Sequence, residues 1–159
     1  MEGWVKLNVD GSYIQNDGQA GAGMILRDHQ GEVIYTACRC LVNCSSALEE
    51  ELAACEEGLR LALNWSVQPI VVEMDCSVGV AMLNAATKDK SSLVHLVTSI
   101  KELLNEKGST VTKIHRSQNM SSHTMAKLGR SKARTQFWIR NFPQELHDIV
   151  TNECNFPIS

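Results

Sequence analysis

Acidic residues are missing from Lys107 to Arg140, a stretch that holds Lys107, Lys113, Arg116, Lys127, Arg130, Lys132, Arg134 and Arg140 and neither Asp nor Glu. The chain as a whole still has a net charge of −3. That balance argues against a general nucleic-acid coating protein while leaving one edge able to face phosphates. A solvated helix face would show the same run of cations. Long apolar runs are missing too: those present are short, such as Ile70 to Val72, and Met1 to Asp10 has neither a charged leader nor an apolar stretch of signal-peptide length. The expectation is a chain that neither spans nor enters a membrane. No CxxC pair occurs among Cys38, Cys40, Cys44, Cys55, Cys76 and Cys154, which fall in segments that read as strands and helices. They are expected to be reduced, mostly buried and without disulfide partners, as in a cytoplasmic or nuclear protein.

What is present fits one domain, because 159 residues with 43% hydrophobic content can bury one sizeable core and would be cramped as two. Val5, Leu7 and Val9 alternate with Lys6 and Asn8, so Trp4 to Asp10 reads as a half-buried strand. After a turn at Asn16-Asp17-Gly18, Gly21 to Arg27 and Glu32 to Leu41 read as two more strands joined through Asp28 to Gly31. Ser46-Ala47-Leu48-Glu49 is a capping box, and Leu48, Leu52, Cys55, Leu59 and Ala62 recur at helical spacing behind it.

Ile70 to Asp75 is a short apolar run of the kind buried in parallel pairing. Helices are expected over Ser77 to Ala85 and Leu93 to Leu104, a strand over Thr110 to His115, a helix over Ser121 to Lys132, and a small helix from Pro143 to about Glu153. The order βββαβααβα predicts an α/β domain with a five-stranded mixed sheet, three strands antiparallel and then parallel ones, flanked by helices. Residues 1–136 form the domain in this reading, and residues 137–159 a C-terminal tail whose short helix packs on it. Phe137 and Trp138 would then serve packing rather than base stacking. The abrupt start of the first strand reads as a domain cut from, or descended from, something larger, and nothing fixes an oligomeric state.

Carboxylates close two of the strands. Asp10 ends the first alternating pattern, where a charge is costly without a partner, although Asp10-Gly11-Ser12 is also Asx-turn chemistry. Asp75 closes IVVEMD at the carboxyl end of a parallel strand, where sites cluster, or it caps the next helix. Of the glutamates on the first helix, a rotation of about 100° per residue puts Glu50 and Glu57 on the solvated side and Glu49 and Glu56 on one flank. Glu51 lies at the edge of the apolar stripe, pointed at the sheet. Three carboxylates from separate segments raise one another's pKa values unless a cation holds them, and oxygen-only ligands select Mg²⁺ or Mn²⁺ over zinc. Two such ions about 3.5 to 4 Å apart clamp the attacking and leaving oxygens of a phosphodiester.

Weaker signals have simpler explanations. Gly18-x-x-Gly21-x-Gly23 precedes a strand and no helix, so it reads as a turn and a glycine-lined strand rather than a phosphate loop. His115 lies near the candidate site or simply on the surface after a strand. His29, His95 and His147 show no partner pattern.

LNVDGSY at 7–13, GAGMILRD at 21–28, ALEEELAACEEGLRLAL at 47–63, IVVEMDCS at 70–77 and HRSQNMSSHTMA at 115–126 together resemble the ribonuclease H domain, in the reverse-transcriptase-like form of plant retroelement-derived proteins. The resemblance runs from about Trp4 to Arg134, and the family's D-E-D core falls on Asp10, Glu51 and Asp75. It implies endonucleolytic hydrolysis of the RNA strand of an RNA·DNA hybrid, leaving a 3′-hydroxyl and a 5′-phosphate. Two Mg²⁺ or Mn²⁺ ions would take part, with Asp10 bridging both and Glu51 and Asp75 completing the coordination.

Departures from the pattern bear on activity. The family's R-x-x-N-x-x-A-D-x-L-A places a fourth carboxylate where this chain has His123, with Arg116, Asn119, Ser122 and Met125 keeping the frame. A neutral imidazole can bind an ion or a bridging water without adding negative charge. The expectation is a weaker second metal, a preference for Mn²⁺, and activity that falls as His123 protonates below about pH 6.5. The alternatives are a weakened or inactive nucleic-acid-binding module and a partner-binding remnant. The Thr-Asn of many members corresponds to Ser46-Ala47, so recognition of 2′-hydroxyls falls to Gly11 and Ser12. The basic, Trp-rich helix of some bacterial members is absent between Asn84 and Leu93, and Lys127, Arg130 and Lys132 partly replace it. Ser46, His115, Arg116 and Asn119 complete the expected nucleic-acid-binding set.

Overall fold

The first strand does not stop at the aspartate. In the computed structural model, which describes residues 2–86 and 91–153, β1 runs from Val5 to Ile14 and pairs antiparallel with β2 (Gln19–Arg27) from Lys6 to Ile14. Asp10 therefore sits mid-strand opposite Gly23, and Asp10-Gly11-Ser12 is extended backbone rather than an Asx turn. β3 (Val33–Leu41) pairs antiparallel with β2. α1 (Ala47–Trp65) then crosses to β4 (Ile70–Met74), which lies parallel to β1. α2 (Ser77–Asn84), α3 (Val94–Glu106), β5 (Thr110–Lys113) and α4 (Met120–Ser131) follow, with a 3₁₀ turn at Arg116–Gln118 before α4.

The sheet has six strands, not five, in the order β5-β4-β1-β2-β3-β6. The addition is β6 (Gln136–Ile139), antiparallel to β3. Four residues are too few to show a period, so the strand is specified by the free edge of β3 rather than by its own pattern. Its aromatics pack as expected: the Phe137 ring lies 5.1 Å from Tyr35 and 5.6 Å from Trp65, and Trp138 packs on a buried cluster. A 3₁₀ turn at Gln144–Leu146 and the short helix α5 (His147–Glu153) end the described chain.

Alternation along β1 divides the core. Val5, Leu7 and Val9 face the larger cluster with Leu52, Leu59 and Ile100, each large side chain contributing about 1.5–3 kcal/mol by burial. Asn8, Asp10 and Ser12 face the opposite way and bond to Asn119, His123 and Arg130. On that second face α4 lies directly on β2, and glycine makes this possible. A Cβ on Gly23 would fall 2.0 Å from the Ser122 carbonyl oxygen, and one on Gly21 2.3 Å from that of Ala126. Ile25, Cys38, Met125, Leu128, Leu146 and Val150 fill the remaining space there.

Two caps differ from expectation. Ser46 Oγ accepts from Glu49 N at 3.1 Å, but the Glu49 carboxylate returns to Ser45 N at 2.8 Å rather than to Ser46, so the reciprocal arm is shifted by one residue. α2 is capped by Cys76, whose Sγ accepts from Gly79 N at 3.4 Å, which leaves Asp75 free of a capping role. Among the described residues the five cysteines are free thiols, and no helix is long and apolar enough to cross a membrane. Cys154, and part of the segment where the basic helix is absent, lie outside the described residues.

Candidate active site

β1 carries Asp10 into the middle of the sheet, where it is fully buried. α1 crosses β1 so closely that a Cβ on Gly11 would lie 2.9 Å from Glu50 Cγ and 3.1 Å from Glu51 N. This approach brings Glu51 down to the strand, and its Oε2 accepts from Gly11 N at 3.3 Å. Asp75 follows the last residue of β4, the parallel neighbour of β1. One oxygen from each of Asp10, Glu51 and Asp75 lies within 4.8 Å of the others.

Burial, then the charge of Asp75, holds the Asp10 carboxyl above its ordinary value against the lowering pull of His123. Glu51 is pushed up to about 9 by burial and then by Asp10 and Asp75. The three clustered carboxylates bring no positive charge of their own. Asp10 Oδ1 and Asp75 Oδ2 are buried without a hydrogen-bond partner, which is what cation ligands look like when only protein atoms surround them. The donor set is all carboxylate, the chemistry of a hard divalent ion.

α4 and the 3₁₀ turn before it supply a cationic or dipolar side to the site. His123 Nδ1 lies 2.7 Å from Asp10 Oδ2, and Arg116 reaches both His123 Nδ1 at 3.3 Å and, loosely, Asp75 Oδ2 at 3.7 Å. His123 therefore meets the cluster through Asp10 and is not one of the three close-set ligand residues. Asn119 is buried: its Nδ2 donates to Val9 O at 2.9 Å, and its Oδ1 accepts from Ser122 Oγ at 2.7 Å and Asn8 Nδ2 at 3.2 Å. It braces α4 against β1 rather than facing solvent.

Glu50 corrects the helical-wheel reading. It is fully buried, and its Oε1 accepts from Ser12 N at 3.1 Å and Gly21 N at 2.6 Å, two residues that face each other across β1 and β2. The wheel assumed one buried stripe, whereas the hairpin runs on past Asp10 and covers a second flank of the first turn of α1. The missing side chain of Gly11, where a Cβ would meet Glu50 and Glu51, was the signal that something packs there. Glu57, also placed in solvent by the wheel, is half-buried and pairs with Arg39 at 3.0 Å.

The other expected nucleic-acid contacts divide in two. Gly11 N and Ser12 N are used inside the protein by Glu51 and Glu50, Ser12 Oγ accepts from Arg130 Nε at 2.8 Å, and Ser46 Oγ caps α1. His115, Arg116 and Lys127 are exposed, although His115 Nδ1 is taken up by Ser117 at 2.8 Å in the turn before α4. Asn8, Arg27 and Glu153, which sequence reasoning did not single out, form a polar chain behind α4.

Comparison with known proteins bears on the family and the fold. The profile of the family described as "Reverse transcriptase-like" matches residues 8–129. A protein of Arabidopsis thaliana named "Putative ribonuclease H protein" is 36% identical over 95 residues, which are 60% of this chain and 15% of that protein. Among solved structures, RNase H1 of Halobacterium salinarum superposes with a TM-score of 0.73 at 20% identity, over 79% of this chain and 96% of that one. The N-terminal RNase H domain of a Mycobacterium tuberculosis protein gives 0.74 at 20%, over 82% and 95%. LC11-RNase H1, solved in complex with RNA/DNA hybrid, gives 0.66 at 18%, over 81% and 98%. With the profile running from β1 into the last turns of α4, the chain belongs to the reverse transcriptase-like family and carries a ribonuclease H fold.

Proposed function

We propose that the chain is a metal-dependent endonuclease that hydrolyses the RNA strand of RNA·DNA hybrids. The observation that carries this is the meeting of Asp10, Glu51 and Asp75 oxygens within 4.8 Å, with buried oxygens of Asp10 and Asp75 left without a hydrogen-bond partner. Those three side chains would hold Mg²⁺ or Mn²⁺, which supplies concentrated positive charge to a phosphodiester and to its attacking water. The two-ion arrangement, with His123 in place of a fourth carboxylate, belongs to the same proposal. His123 Nδ1 is engaged by Asp10, so this imidazole orients the Asp10 carboxylate and offers a second ion only its other nitrogen. Lys127 and the guanidinium of Arg116, both exposed, supply phosphate contacts. A relative of similar fold was solved with an RNA/DNA hybrid, which supports the choice of substrate.

The His123–Asp10 contact also favours a second reading, a hybrid-binding module in which cleavage is weak because no fourth acid balances a second ion. Cleavage of an end-labelled RNA·DNA hybrid in Mn²⁺ tests both, with Asp10→Asn as control. The enzyme reading predicts cutting that Asp10→Asn abolishes and His123→Asp raises modestly. Near-absent cutting that His123→Asp restores strongly would favour the binding module, and binding of neither hybrid nor Mn²⁺ would overturn both.

A further inference from the structure

α4 begins without a cap of its own. Asn119 occupies the N-cap position, its side chain makes no capping bond, and the first turn contains no acid, which leaves backbone N–H groups needing acceptors. One acceptor comes from outside the residues matched by the family profile. Glu153, the last residue of α5, accepts from Ser121 N at 3.0 Å and from the Ser121 hydroxyl, and pairs with Arg27 at 2.7 Å. The Arg27 and Glu153 side chains are 4% and 11% exposed, so each is the other's main charge compensation in a place where an unpaired ion is costly.

The bonds continue from there to the site. Arg27 donates to Asn8 Oδ1 at 3.1 Å and to Ser121 Oγ at 3.2 Å. Asn8 reaches Asn119 at 3.2 Å, Asn119 Nδ2 holds the carbonyl of Val9 beside Asp10 at 2.9 Å, and His123 N bonds Asn119 O at 3.0 Å. The first turn of α4 is thereby fixed on one side by β1 and on the other by α5. His123, which touches Asp10, closes that first turn through its bond to Asn119 O. A shift of the turn would move the imidazole off the carboxylate, and active-site groups tolerate little displacement.

We infer that Glu153 is a positioning residue, through which the C-terminal helix holds His123 in register with Asp10. The inference rests on the hydrolase reading for its kinetic arm and on the fold alone for its spectroscopic arm. The test uses Glu153→Ala and the paired variant Arg27→Leu with Glu153→Leu, which removes both charges and leaves neither unpaired. In Mn²⁺ and well below the melting temperature, both variants are expected to lose roughly tenfold or more in kcat on the hybrid, with KM within about twofold. In the metal-free chain, the Ser121 amide should exchange faster with solvent and the Asn119 side-chain amide resonances should shift.

A folded paired variant with wild-type kcat and unmoved Asn119 resonances would overturn the inference and leave Glu153 a stability contact only. If Glu153→Ala does not fold, the paired variant decides. If the wild-type chain does not cut at all, the hydrolase reading fails and the resonances decide alone: displacement supports the inference, and its absence overturns it.

Discussion

Glu50 and Glu51 are neighbours on one turn of α1, and the structure uses them differently. Glu51 joins two other acids, while Glu50 accepts from the Ser12 and Gly21 amides with one carboxylate oxygen. Burial pushes Glu50 up to about 7 against the pull of those two amides, and its Oε2 has no partner. A neutral acceptor would serve the amides as well as a charged one. Glu50→Gln is therefore expected to leave chemical denaturation at about pH 8 unchanged or slightly stabilised. Glu50→Ala should cost about 2–4 kcal/mol, because two buried N–H groups lose their acceptor. Equal destabilisation by both variants would show that the charge itself is needed.

Sequence alone identified Asp10 and Asp75, because an acid at the end of an apolar pattern stands out. It identified Glu51 because that residue borders the apolar stripe. Glu50 was hidden, since a wheel drawn on one stripe has no way to register a second covered flank. Asn8 and Arg27 were hidden for a related reason: their partners lie 111 and 126 residues away in Asn119 and Glu153, a distance that no local pattern encodes.

At the scale of elements, the position of α4 is set by two glycines of β2. Gly23→Ala would place a methyl group 2.0 Å from Ser122 O and 2.3 Å from Ala126 N, both backbone atoms of the helix, so the helix rather than a side chain must move. Overpacking of this kind typically costs about 1–3 kcal/mol and occasionally more. The expected outcome is a lower melting temperature together with a hybrid-cleavage rate reduced well beyond the folded fraction, because His123 travels with the helix. A variant that loses stability but keeps its specific activity would show that His123 placement does not depend on this contact. The glycine spacing was visible in the sequence as a glycine-lined strand, and so was the helix, but not that the one receives the other. β6 was likewise invisible, being four residues whose partner is the outer edge of β3. The longer elements were legible because their periodicity extends over several turns or pleats.

For the whole molecule, the acid cluster makes stability depend on pH in an unusual direction. Asp10, Glu50 and Glu51 all have pKa values raised by burial in the fold, so across the raised interval the folded state holds more protons than the unfolded one. Stability in the absence of metal is then full below the ordinary value of 4.5 and is lost as pH rises through about 7 for Glu50 and about 9 for Glu51. Melting curves in a chelator are expected to show a falling melting temperature from about pH 5 to about pH 9, flattened in Glu51→Gln. Mn²⁺ should reverse the trend, because the ion binds deprotonated carboxylates of the folded state. A chelated protein that becomes more stable over that range would contradict the charge balance described here.

The most direct test of the account is a calorimetric titration of Mn²⁺ into the metal-free chain near pH 7.5, with Asp10→Asn alongside. The account predicts one clear binding event and a second, weaker one where His123 stands in for an acid, both lost or greatly weakened when Asp10 is replaced. Two equally tight sites would contradict the role given to His123. No binding, or binding indifferent to Asp10, would contradict the claim that these three carboxylates are gathered to hold a cation.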